Sequence, residues 1–114
     1  MNQSDIWLVD LNPTQGSEIQ KTRPCLVVND DAVGALPLRV IVPFTDWKSH
    51  YASANWLVKF TPSSQNGLQK ESAADCFQVR SVSTTRFVRK LGAIDLLAFE
   101  RIQLALANVF SIAL

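Results

Sequence analysis

Few side chains in this sequence could do chemistry, and they are scattered along it. The reactive types are two cysteines, Cys25 and Cys76, and one histidine, His50. The cysteines form no CxxC and sit in apolar, strand-like runs. That predicts buried, reduced thiols rather than a zinc site or a disulfide. His50 stands alone in a polar loop and reads as a surface residue. Arginine, hydroxyl and carboxylate groups offer more. Arg23 precedes Pro24 at the start of an apolar run, and Glu18 and Lys21 lie in the loop before it. Thr45 closes a second apolar run, and Gln78, Arg80 and Ser81 share a third segment. A planar guanidinium pairs bidentately with phosphate oxygens, so a few arginines in one groove would suit a nucleic acid.

Each of these residues also has a plainer reading. Arg23 could be a strand-end arginine paired with Glu18 or Asp75. Thr45 is a natural turn residue, and Glu18 natural solvated loop charge. Gln78 and Arg80 alternate on one strand face, opposite Val79; that face is either a nucleic-acid lining or the wet side of a half-buried strand. Among the tryptophans, Trp7 and Trp56 lie in strands and read as core. Trp47 follows Thr45 in a loop and is the best candidate to stack an unpaired base.

The elements that must position these groups read as β for the first four-fifths of the chain. Ile6 to Leu11, Pro24 to Val28, Leu38 to Phe44 (as far as Pro43), Trp56 to Phe60, Ala74 to Val82 and Phe87 to Leu91 are strand-like runs. Thr14 to Lys21 and Thr45 to Asn55 read as loops, and the segment Thr61 to Gly67 is a dense turn signal. Pro24 stands at a strand start, where its missing N–H is tolerated. The texture then changes. Leu96, Phe99, Ile102, Leu106, Val109 and Ile112 recur at helical spacing behind Asp95, a plausible N-cap. Leu97, Leu104 and Phe110 lie off that stripe, so the helix is apolar on more than one face. The expected architecture is mainly β with a C-terminal α-helix: a small, strongly bent antiparallel sheet or barrel.

Composition bounds the rest. The chain has 114 residues, enough for one domain spanning 1–114. Apolar residues are 47% and charged residues only 18%, which suits a surface partly covered in a homodimer. The net charge of +1 lacks the strongly basic signature of a duplex-wrapping protein. The first residues do not resemble a signal peptide, and charges interrupt the apolar C-terminal run. Neither a membrane association nor export is expected, and the predicted location is the cytoplasm.

Two blocks carry a resemblance. The segment DIWLVDLNPTQGSEIQKTRPCLVV pairs an acidic residue and an aromatic in the first strand with a Pro turn, a Gly-x-Glu loop and Arg-Pro before an apolar strand. The segment KESAADCFQVRSVSTTRFVRKLG holds Ser-x-x-x-x-x-Gln-x-Arg-Ser, a further arginine and a glycine ahead of the helix. In this order and spacing the chain resembles the MazF/PemK-type toxins over nearly its whole length.

The resemblance implies an SH3-like small barrel that forms a homodimer. It implies a toxin of a toxin–antitoxin pair, a sequence-specific endoribonuclease (an mRNA interferase) that needs no metal or other cofactor. The substrate would be single-stranded RNA, cut to a 2′,3′-cyclic phosphate and a 5′-hydroxyl. The partner would be a cognate antitoxin, with which such toxins also bind DNA. Arg23 matches the main catalytic arginine, Thr45 the hydroxyl residue beside it and Glu18 the loop glutamate. Gln78, Arg80 and Ser81 match the Gln-x-Arg-Ser core and would bind RNA; the residues themselves, not the family pattern, add Trp47 and Lys21 as further RNA contacts. The sequence departs from some members: Gln20-Lys21 replaces a Gly-Gly pair, Phe77 stands where others have an acid, and the first loop lacks a histidine.

The chemistry is self-consistent. RNA carries its own nucleophile, the 2′-hydroxyl, so an enzyme need only align it, manage two protons and stabilise charge on phosphorus. Arg23 suits the charge term, because a guanidinium holds its proton too tightly to be a good proton donor. Thr45 could hydrogen-bond the same phosphate, and Glu18 is the candidate base. The alternative from another class is a non-catalytic toxin of the same fold that inhibits a topoisomerase by binding through its helix.

Overall fold

The computed structural model describes residues 1–33 and 36–114. Among these residues seven strands run β1 (Asp5–Asp10), β2 (Thr22–Val27), β3 (Leu38–Asp46), β4 (Leu57–Phe60), β5 (Ser72–Asp75), β6 (Arg80–Ser83) and β7 (Phe87–Ala93). One helix, α1 (Leu96–Phe110), follows them. The sheet order is β4-β5-β3-β2-β1-β7, with β6 also paired to β3. Every pairing is antiparallel. The sheet is bent and barrel-like but does not close, since β4 and β7 stand at its two ends.

Alternation along the strands sorts the core into two layers. Ile6, Leu26, Val42 and Phe44 face one side, where Phe99, Ile102 and Ala105 of α1 pack on them. Val9, Cys25, Val27, Ile41 and Val82 face the other, covered by Ile19 and Phe87. Both thiols are buried, and burial pushes Cys25 and Cys76 up to about 12, so neither is a thiolate at neutral pH.

Three local readings of the sequence change in the folded chain. First, β3 continues through Pro43 to Asp46, so Thr45 is a strand residue rather than the closing turn. β3 pairs β6 from Leu38 to Ile41 and β5 from Phe44 to Asp46. Pro43 sits where one neighbour gives way to the other on that flank, a place that tolerates a missing N–H.

Second, the strand expected over Ala74 to Val82 is broken. Between the pairs Phe44↔Ala74 and Ile41↔Arg80, five residues on one chain segment face two on the other. The excess is taken up by a 3-10 turn, Cys76–Gln78, whose N-cap Asp75 accepts from the Phe77 amide at 3.1 Å. Local Asx chemistry outcompetes the strand ladder here. Gln78 and Arg80 therefore do not alternate along one strand.

Third, α1 has its expected N-cap, with Asp95 accepting from the Ala98 amide at 2.8 Å, but it ends at Phe110 with Ser111 left-handed. Leu96, expected in the buried stripe, is exposed, as are Leu97, Leu104 and Phe110. Among the described residues no helix is long and apolar enough to cross a membrane.

Candidate functional site

The register of β2 and β3 builds the first part of the site. Their pairs run Val27↔Ile41, Leu26↔Val42 and Cys25↔Pro43, then stop. Two residues further the same register would set Arg23 opposite Thr45. Beyond Pro43, β3 bends away with β5 on its opposite edge, and the start of β2 parts from it. A cleft of about 310 Å³ opens in this gap, and Arg23, Thr45, Asp46, Lys70 and Arg89 line it above Leu8, Phe44 and Leu68.

The turn at residues 61–67 closes one side of that cleft. Asn66 is buried, and its Oδ1 accepts from the amides of Ser63 and Leu68 at 3.0 and 2.9 Å. Gly67 has φ +68°, and a Cβ there would stand 2.2 Å from the Leu91 carbonyl oxygen. Only glycine lets this turn lie against β7, and the contact brings Leu68 and Lys70 to the cleft. Arg89 arrives through β7, where it pairs with Leu8, which in turn pairs with Pro24. Lys70 and Arg89 were not among the residues singled out from the sequence. Their signal is long-range register, which no local motif contains.

Arg23 is half-buried, and its Nε donates to the Gln20 carbonyl at 3.3 Å. Among the described residues it forms no salt bridge; those present join the Met1 amine and Lys90 to Asp5, Lys59 to Glu71, and Lys70 to Asp46. The expected alternative, an Arg23 pair with Glu18 or Asp75, is therefore absent. The Lys70 hydrogen bond to Asp46, at 2.7 Å, holds that carboxyl below its usual range, and Arg23 adds to the effect from further away. The cleft carries three cations and one anion that is already engaged.

Glu18, Gln78 and Arg80 gather elsewhere, in a second hollow of about 520 Å³ with Ser17 and Phe77. Glu18 is exposed there, and its Oε1 accepts from the Gln15 amide at 2.8 Å. Gln78 is fully engaged: Oε1 accepts from the Ile19 amide at 2.6 Å, while Nε2 donates to the Ser17 carbonyl and to Asp75. Burial raises the Asp75 carboxyl against the opposing hydrogen bonds from Phe77 and Gln78. Lys21 has φ +70°, and its amide donates to Asn12 Oδ1, so it shapes the base of the loop. Ser81 lies apart, exposed on β6 beside Val40.

A third hollow of about 380 Å³ shares Thr45 with the first and adds His50, Tyr51, Trp56 and Asp75. His50 is exposed, its ring 4.7 Å from that of Tyr51. Trp47 is half-buried, with the Lys59 ammonium 5.3 Å over its ring and Tyr51 against it. Trp7 packs edge-on to Phe87 as a partly buried core residue. Trp56, expected in the core, is 40% exposed. Among the described residues no three His, Cys, Asp or Glu side chains cluster as a metal site would require.

Comparison with known proteins adds to this geometry. Residues 2–110 match the model of the PemK-like, MazF-like toxins of type II toxin–antitoxin systems. A curated relative, endoribonuclease MazF9 of Mycobacterium tuberculosis, is 33% identical over 101 residues, 83% of each chain. The fold is similar to that of the M. tuberculosis toxin MazF-mt6, with a TM-score of 0.78 at 19% identity, covering 96% of this chain and 99% of that one. It is also similar to an endoribonuclease from a mycobacterial species solved with its cognate antitoxin, with a TM-score of 0.77 at 16% identity, covering 100% and 98%.

Proposed function

The chain belongs to the PemK-like, MazF-like toxins of type II toxin–antitoxin systems, and from that premise we propose that it is a metal-independent endoribonuclease of single-stranded RNA. The observation that carries the proposal is the convergence of Arg23 and Thr45, with Lys70 and Arg89, on one cleft where Arg23 forms no salt bridge among the described residues. A curated relative is named an endoribonuclease, which supports the same class of reaction.

In this reading the 2′-oxygen bonds to the adjacent phosphorus and the bond to the 5′-oxygen breaks. The 2′-hydroxyl gives up its proton to a base, and the departing 5′-oxygen gains one. Arg23 pairs with the non-bridging oxygens as charge builds on them. Thr45 donates its hydroxyl to the same phosphate. Lys70 and Arg89 hold the flanking backbone electrostatically. Glu18 is the candidate base on the neighbouring hollow, where Gln78 and Arg80 guide the strand; Lys21 at the base of the loop, Ser81 further along β6 and Trp47 as a stacking contact extend that track. Asp46 is a poor base, since its proton affinity is lowered by Lys70.

The same reading makes the chain one domain over 1–114, cytoplasmic, and a homodimer. Its partner is a cognate antitoxin, and the two together bind DNA; a fold relative solved with its antitoxin supports that partnership. The test is incubation of the purified protein with a long single-stranded RNA in excess EDTA. Discrete cuts ending in 2′,3′-cyclic phosphate and 5′-hydroxyl are expected. Cutting that occurs with divalent ions and stops in EDTA would defeat the proposal.

A further inference from the structure

Phe77 is 71% exposed, an unusual position for a phenylalanine in a well-packed domain. The five-against-two bulge pushes it outward, and its ring stands 6.4 Å from that of Trp56, edge to face at 65°. Phe77 lines the hollow that holds Glu18, Gln78 and Arg80. Trp56 lines the one that holds Thr45, His50 and Asp75. Both border a smaller hollow with Asn55 and Asn108. The two rings thus form a ridge between Arg80 on one side and Thr45 on the other.

We infer that this ridge is a stacking platform for one unpaired base next to the scissile phosphate. The inference rests on the nuclease reading above. The surroundings select the occupant: π-faces for stacking, a guanidinium at Arg80 for phosphate, and polar edges at Asp75, His50 and Asn55. A nucleotide satisfies all three, because every base has a π-face, a polar edge and a charged backbone. An apolar protein segment would cover the rings and leave the Arg80 guanidinium facing it without a counter-charge. The ridge also joins the Thr45 and Arg80 hollows, so a strand occupying both must cross it.

The experiment begins by mapping a cut in a long single-stranded RNA. A short oligoribonucleotide spanning that cut, with a 2′-deoxy sugar at the scissile nucleotide, then serves as a non-cleavable probe. A companion set carries one abasic position each. Wild-type protein is expected to lose roughly ten-fold in affinity when the position beside the cut is abasic, the scale of one lost base–aromatic stack. Phe77→Ala and Trp56→Ala should bind the intact probe about ten-fold more weakly and no longer sense the abasic position. Phe77→Tyr should keep both properties. A wild-type protein that cuts RNA while Phe77→Ala binds the probe normally overturns this inference alone. Variants that keep RNA affinity but lose subunit or antitoxin association overturn it too, by making the ridge a protein interface. A wild-type protein that neither binds nor cuts RNA overturns both readings.

Discussion

The backbone amide of Ile19 donates to the side-chain oxygen of Gln78 at 2.6 Å, a tie between positions 59 residues apart. Gln78 also donates to the Ser17 carbonyl and to Asp75. It is therefore an anchor for the loop that carries Glu18 before it is anything else. Gln78→Ala should cost about 1 kcal/mol of stability, the usual net worth of such a bond. Faster hydrogen exchange at the amides of Ser17 to Ile19 should accompany it, with RNA binding weakened through the loop. Unchanged exchange there would mean that Gln78 does not hold the loop.

This relationship marks the border of what the sequence made legible. The helix and its Asp95 cap, the turn before Gly67 and most strands follow from local patterns of caps, Gly and Pro, and alternation. The break at Cys76–Gln78 does not. The run from Ala74 to Val82 has strand periodicity, and only the pairing of β3 with two different partners shows that three residues must loop out. The candidate site is similar. Arg23 and Thr45 were legible through the family pattern. Lys70 and Arg89 were not, because a turn packed on β7 and a register across three strands bring them in. Phe77 was hidden by the same bulge, and Trp56 by alternation with the buried Val58 and Phe60, although β4 begins only at Leu57.

Asp46 offers a test by pH. Its folded-state carboxyl is held below its usual range by the Lys70 hydrogen bond. The stabilisation is thus present at neutral pH, above the unfolded carboxyl range of about 3.9. It is lost as pH falls through the lowered folded value. Asp46→Asn should be slightly less stable than wild type at pH 7, by well under about 1 kcal/mol for a pair this exposed, and the gap should close in acid. The same change removes an anion from the cleft and frees Lys70, so RNA should bind a few-fold tighter at low salt. Weaker RNA binding would show that this cleft does not hold the phosphate backbone.

The outer face of α1 carries Leu97 at 74% exposure and Leu104 at 55%. An apolar surface of this kind favours a symmetric partner, and we expect a dimer at micromolar concentration. Sedimentation equilibrium should report it, and Leu97→Glu with Leu104→Glu should shift the chain toward monomer without unfolding. A wild-type monomer would contradict the assembly. A dimer indifferent to both changes would place the interface elsewhere.

Arg80 separates binding from chemistry. An antitoxin tail that competes with RNA across the second hollow should bind Arg80→Ala more weakly. For RNA, the slope of log affinity against log salt should shrink by about 0.7, the loss of one single-strand phosphate contact. Equal antitoxin affinity for variant and wild type would move the tail off this hollow.

The central claim is that the cleft between β2 and β3 works through the guanidinium of Arg23. Single-turnover cleavage of saturating single-stranded RNA in EDTA, comparing wild type, Arg23→Ala and Arg23→Lys of matched thermal stability, tests it most directly. A fall of roughly 100-fold or more is expected for Arg23→Ala, the scale of losing a preorganised transition-state donor. Arg23→Lys should recover little, because an ammonium lacks the bidentate fork. A folded Arg23→Ala protein that cleaves at near the wild-type rate would contradict the account.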